Sequence, residues 1–149
     1  MKNLFLMFSV LLILFTGCKK DDVEVTEITV EEFSNYTGNQ NTCGEALNHE
    51  GESVTITCYI NALNTFEDEN RFHLFHSETL SGDRVEVKVA NNGTMVFNKL
   101  NLSLDNNQIE NFTKFKIKGK IIGVDIPMLP ECKREAFLEI DSADDIVLE

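Results

Sequence analysis

From residue 114 to residue 121 the chain reads Lys-Phe-Lys-Ile-Lys-Gly-Lys-Ile. A helix turns about 100° per residue, so this order would scatter lysines and apolar side chains around the whole cylinder. A strand sends successive side chains to opposite faces and separates the two kinds completely. Residues 114–124 are therefore expected as a strand. Phe115, Ile117, Gly119 and Ile121 lie on its buried face, and Lys114, Lys116, Lys118 and Lys120 on its solvated face. Residues 53–63 obey the same rule, with Val54, Ile56, Cys58 and Ile60 on one side and Thr55, Thr57, Tyr59 and Asn61 on the other.

Three more strands are expected. They cover residues 71–77, residues 84–90 with Val85, Val87 and Val89 inward, and residues 136–140. Ser81-Gly82-Asp83 and Asn91-Asn92-Gly93 read as turns, and residues 64–70 as an acidic loop. Residues 94–111 read as a short helical connection. Earlier, Thr29 followed three residues later by Glu32 has the form of a capping box, so a short helix is expected to open there and to break at residues 38–42. Residues 46–50 fit no single pattern. Pro127 and Pro130 bracket a loop, and residues 141–149 form an acidic tail with one apolar run, Ile146-Val147-Leu148. The class is mainly β, with five strands and an interruption between the third and the fourth.

That order resembles the OB-fold, a five-stranded, partly open Greek-key barrel with a short helical connection. Gly51-Glu52-Ser53-Val54-Thr55-Ile56 looks like its first strand. Phe115-Lys116-Ile117-Lys118-Gly119-Lys120-Ile121 looks like its fourth, with Gly119 where a curved strand kinks. The last strand, leading to Asp144-Asp145-Ile146-Val147-Leu148, also fits. The resemblance is to OB-fold proteins of the tRNA-anticodon-binding-like kind found in bacterial lipoproteins. It covers about residues 51–149, within a single domain of residues 28–149. It implies a binding fold and carries over no catalytic residue.

The N-terminus points to where such a domain is held. Residues 4–15 are apolar apart from Ser9, too short a run for a membrane span and right for the core of a secretory signal. Phe15-Thr16-Gly17-Cys18 follows and resembles a bacterial lipobox, with Phe15 standing where the motif usually has Leu. The resemblance implies removal of residues 1–17 and lipidation of Cys18, with residues 18–27 as lipidated cysteine and tether. Acyl chains contribute about 0.8 kcal/mol per buried CH₂, so several chains on one cysteine make a stable membrane anchor. Lys19-Lys20-Asp21-Asp22 resembles the tether of Bacteroidota lipoproteins, which can direct export to the cell surface. The implied place is the cell envelope, at the outer membrane.

Cleavage would leave 132 of the 149 residues, enough for one core. It removes Lys2 from the 13 basic residues, so 25 acidic residues face the remaining 12 and the net charge is −13. Such a charge repels phosphate backbones at long range and opposes nucleic acid as a general partner. Three thiols remain beside Cys18. Cys58 belongs to an inward-facing row, whereas Cys43 and Cys132 sit in polar, loop-like surroundings and are the preferred disulfide pair, although three pairings exist.

Few residues are arranged for chemistry. OB-folds bind ligands across the outward face of their second and third strands. The resemblance puts Arg71, His73, Phe75, Arg84, Glu86 and Lys88 there, with Tyr59 alongside. Cations with an aromatic suit a sugar or a nucleotide, while mixed charge on an outer face is equally the mark of a solvated surface. Lys114, Lys116, Lys118 and Lys120 make a basic stripe for an anionic partner, or else blunt an exposed strand edge. Glu67-Asp68-Glu69 lacks the spacing of a calcium loop. His73 and His76, three apart on a strand, face opposite ways and do not share a metal. No metal, cofactor or catalytic residue is assigned. The reading is a membrane-anchored, non-catalytic binding module for a protein or glycan partner. The alternatives are an oligonucleotide-binding OB-fold, or an accessory protein or enzyme of polysaccharide processing.

Overall fold

The computed structural model describes residues 25–38, 41–61, 66–68, 70–91, 93–103, 112–128 and 130–149. The signal segment, Cys18 and residues 19–24 of the tether lie outside the described residues. In chain order the elements are β1 (Thr26–Thr29), α1 (Val30–Thr37), β2 (Asn41–Thr42), β3 (Ser53–Ile60), β4 (Phe66–Asp68), β5 (Arg71–Phe75), β6 (Arg84–Val89), α2 (Gly93–Ser103), β7 (Thr113–Pro127), β8 (Cys132–Ile140) and β9 (Ile146–Leu148). The protein is mainly β.

Five strands close into a ring in the order β3-β5-β6-β8-β7 and back to β3. The closing contact is the antiparallel ladder from Ser53↔Lys120 to Ile60↔Thr113. It joins the two segments whose alternation is strictest in the sequence. β5 and β6 form a hairpin, β7 and β8 another, and β6 meets β8 in parallel from Val87↔Leu138 to Val89↔Ile140. Every inward row is apolar: Val54, Ile56, Cys58 and Ile60 of β3, Phe72 and Leu74 of β5, the three valines of β6, Phe115, Ile117 and Ile121 of β7, and Leu138 and Ile140 of β8. Each aliphatic or phenyl side chain so buried contributes about 1.5–3 kcal/mol relative to exposure.

The sequence pattern missed four strands because all are short. β1 pairs in parallel with β3 and takes up Thr26 and Glu27, which the sequence reading gives to the tether. β4 takes residues 66–68 of the expected acidic loop and pairs with β5. β9 runs beside the first part of β7, burying Ile146 while Val147 and Leu148 stay exposed. β2 pairs with Lys133 and Arg134 of β8, which starts at Cys132 rather than at residue 136 because its ladder with β7 runs on to Pro127↔Cys132. The helical connection between β6 and β7 is present as α2, with Val96 and Leu100 buried; its expected remainder, residues 104–111, lies outside the described residues.

β1, α1 and β2 act together as a strap. β1 lies along β3, β2 along the first part of β8, and α1 joins them. The capping box starts α1: the Thr29 hydroxyl accepts the Glu32 N–H at 3.2 Å, and the Glu32 carboxylate accepts the Thr29 N–H at 2.8 Å. Gly38 ends it with φ 88°, a left-handed conformation that favours glycine, and its N–H donates to the Ser34 carbonyl. Val30 and Phe33 anchor the helix in the core. The Cys43–Cys132 disulfide, with Cα atoms 5.5 Å apart, closes the far end of the strap.

Gly119 has a packing role on β7. A Cβ there would stand 2.7 Å from the Glu139 carbonyl oxygen and 2.7 Å from Leu138 Cγ. The carbonyl belongs to the backbone of β8 and cannot rotate away. Gly119→Ala is expected to destabilise the protein by about 1–3 kcal/mol, the usual result of overpacking. Urea denaturation against wild type checks this, and an unchanged midpoint would refute the close approach.

Candidate functional site

β6 and β8 are paired only from Val87 and Leu138 onward. Before that point they diverge, and α1 lies behind the gap. The result is a cleft of about 480 Å³ lined by Phe33, Ser34 and Thr37 of α1, His73 of β5, Arg84 and Glu86 of β6, and Glu135, Ala136 and Phe137 of β8. Its rim carries two carboxylates and a guanidinium. Phe33 and Phe137, each 3% exposed, and His73, 6% exposed, form its packed backing. The Thr37 hydroxyl donates to the Phe33 carbonyl at 2.9 Å, which fixes its direction.

One wall is held in place by charge. The Arg71 Nε donates to Glu86 Oε1 at 2.6 Å, and its terminal nitrogen contacts the same oxygen. The Arg71 guanidinium carbon also lies 5.9 Å from the centre of the Phe137 ring, within the range of a cation–π contact. Glu86 is thus oriented before any ligand arrives. Such a site can hold polar groups by hydrogen bonds. Among the described residues, no group of three or more His, Cys, Asp or Glu side chains is placed to hold a metal ion.

The outer face chosen from sequence is one surface. Tyr59 pairs with Phe75, Phe75 with Arg84, His73 with Glu86, and Arg71 with Lys88. Its parts differ in character. His73 and Arg84 line the cleft, Arg71 braces it, and Tyr59, Phe75 and Lys88 lie outside it. Phe75 is buried and packs edge-on against Phe112, with ring centres 5.8 Å apart, so it is covered rather than open for stacking.

The lysine row has another setting than edge protection. β7 is flanked by β3 on one side and by β9 and then β8 on the other. Its lysines therefore stand above an interior strand. Lys114 meets Glu149 at 2.8 Å, and Lys116 meets Glu27 at 2.5 Å and Glu149 at 3.5 Å. These contacts hold the Glu149 and Glu27 carboxyls below, and both lysines above, their ordinary values. Half of the expected basic stripe is neutralised, while Lys118 and Lys120 remain exposed.

Arg134 ties the segment between β2 and β3 to the ring. It bonds Glu50 at 2.6 Å and Asp125 at 2.7 Å, with its guanidinium over Gly123, where a Cβ would lie 2.6 Å from Cζ. Hydrogen bonds from Arg134 hold both carboxyls below their ordinary values. A carboxyl depressed in the folded state stabilises above its unfolded value and loses that contribution as protons are added. The linked stability is therefore complete above pH 4.5 for Glu50 and 3.8 for Asp125 and falls as pH drops through and below those values. Urea midpoints measured across this range should fall less steeply for Arg134→Gln than for wild type. Parallel slopes would remove the pair from the account of acid stability.

Sequence reasoning missed the α1 and β8 sides of the cleft. The capping box locates α1, and Phe33 and Thr37, four apart, share one side of it. Phe137 is an apolar residue on the outward side of β8, between Glu135 and Glu139, and that break in alternation is the one local sign of a covered patch. Cys58, fully buried on β3, donates weakly to the Phe115 carbonyl, and burial pushes its thiol well above the ordinary value. It is inert as a nucleophile. No helix among the described residues is long and apolar enough to cross a membrane. No protein-family model matches the chain, and no curated protein is significantly similar to it.

Proposed function

We propose that this chain is a lipid-anchored protein of the bacterial cell envelope, held by Cys18 at the outer membrane, whose OB-like Greek-key barrel binds a protein or glycan partner without catalysis. The barrel reading is supported by the ring order, by the parallel β6–β8 contact and by α2 between the third and fourth ring strands. In the OB-fold the ligand face lies on the second and third strands, here β5 and β6. The observation that carries the binding reading is the cleft beside that face, with polar side chains at its rim and Glu86 already fixed by Arg71. The anchor reading is supported by the order of apolar run, Phe15-Thr16-Gly17-Cys18 and charged tether.

Localisation in the native host tests it. Wild type is expected in the membrane fraction and Cys18→Ala in the soluble fraction, with protease treatment of intact cells removing wild type if the domain faces outward. Identical fractionation of the two forms would end the lipoprotein reading.

A further inference from the structure

We infer that the outer face of β3 and β7 rests on the membrane that holds Cys18, with Lys118 and Lys120 set against the phosphates of anionic phospholipids. This rests on the proposal that Cys18 is lipidated, and it adds which side of the domain meets the bilayer.

The place where β1 begins sets the geometry. Thr26 opens β1 opposite Val54 of β3, and Val54 stands opposite Gly119 of β7. Lys118 and Lys120 flank Gly119. Neighbouring strands lie about 4.8 Å apart, so the backbone at Gly119 is roughly 10 Å from Thr26. Only eight peptide steps separate Cys18 from Thr26. Fully extended they reach at most about 29 Å, so an acyl anchor on Cys18 keeps the β1 side of the domain close to the headgroups. The face that carries the two lysines starts two strands from that attachment. In the ring order β3 neighbours β5 and β7, so the β6–β8 seam lies across the ring from it. With β3 and β7 against the bilayer, the cleft opens on the far side, where a partner can reach it.

Charge selects the surface. Among the described residues Lys118 and Lys120 form no ion pair, whereas Lys114 and Lys116 are taken up by Glu149 and Glu27. Nearby carboxylates are engaged elsewhere: Asp145 accepts the Ser142 N–H, and Glu52 meets the Tyr36 hydroxyl and the His49 ring. Glu139 stands opposite Lys120 in the β7–β8 ladder, so Lys118 makes the stronger of the two contacts. Thr55 and Ser53, opposite Lys118 and Lys120 on β3, add hydroxyls that can donate to the same phosphate oxygens. The net charge of −13 does not forbid the contact. Salt screens charges beyond about 8 Å, and the far wall of a ring lies about 10 Å behind the near one. Each lysine at an anionic surface shifts the contact equilibrium about fivefold, and a short tether makes such weak contacts count.

The test uses the ¹⁵N-labelled protein purified from membranes, its intact mass measured for the acyl chains, in nanodiscs of phosphatidylcholine with or without phosphatidylglycerol. A trace of lipid with a gadolinium-bearing headgroup reports which amides lie near the surface. With phosphatidylglycerol, relaxation is expected to be enhanced at Thr55, Lys118 and Lys120 and weak at Glu86 and Ala136. The double variant Lys118→Glu, Lys120→Glu should cut the enhancement at Thr55 about fivefold or more, and so should leaving out phosphatidylglycerol. Equal enhancement on all faces, or the strongest at the cleft, would overturn the inference and leave the anchor standing. The same gradient in phosphatidylcholine alone, or in the double variant, would overturn recognition of lipid phosphates. A mass without acyl chains would remove the anchor reading and this inference with it.

Discussion

Replacing Cys43 and Cys132 together by serine is expected to lower the unfolding free energy by about 2–5 kcal/mol. The two residues are 89 apart in sequence. A cross-link over so long a loop withdraws much of the unfolded chain's freedom, which the chain-entropy account makes the main source of its effect. The folded side matters as well. The disulfide closes a two-residue strand, and two residue pairs with β8 are a weak hold. That strand ends the strap whose helix supplies Phe33, Ser34 and Thr37 to the cleft. The double replacement should therefore reduce stability in urea and also speed hydrogen exchange in α1 relative to the ring strands. A full loss of stability with uniform exchange would assign the bond an unfolded-state role alone. A loss under 1 kcal/mol would show that the strap holds without it.

Phe115→Ala should cost about 3–5 kcal/mol, the range for removing a phenyl ring from a packed core. Phe115 is fully buried within the ring closure, where β7 pairs with β3 on one side and with β9 on the other. It stands opposite Cys58 and Leu148 in those two ladders. Neither ladder can shift to fill the void without breaking register with the other. Val147→Ala on neighbouring β9, at a side chain 55% exposed, is expected within about 0.5 kcal/mol of wild type. Chemical denaturation of both variants separates the two cases. A small effect at Phe115 would mean that the ring relaxes around the cavity.

What could be read from the sequence was read where one face of a long strand is buried and the other wet. Alternation placed β3, β5, β6 and β7 within a few residues, and the capping box placed the start of α1. The short strands escaped because two to four residues give too few alternations to count. β5 hides its role differently. Polar and apolar residues alternate from Arg71 to Leu74, yet His73 and Phe75 on the outer side are buried too, because that face is itself covered.

By itself the sequence determined the class, the two faces of each long strand and the inward thiol at Cys58. These follow from periods and local chemistry within one segment. Only the tertiary structure decided that β3 and β7 close the ring, that the lysines of β7 meet carboxylates from β1 and the C-terminus, and that α1, β6 and β8 enclose a cleft. Those facts depend on residues far apart in the chain. Nothing local to Phe33, Glu86 or Ala136 says that they meet: the divergence of β6 from β8 sets the gap, and the strap's two distant anchor points place α1 across it.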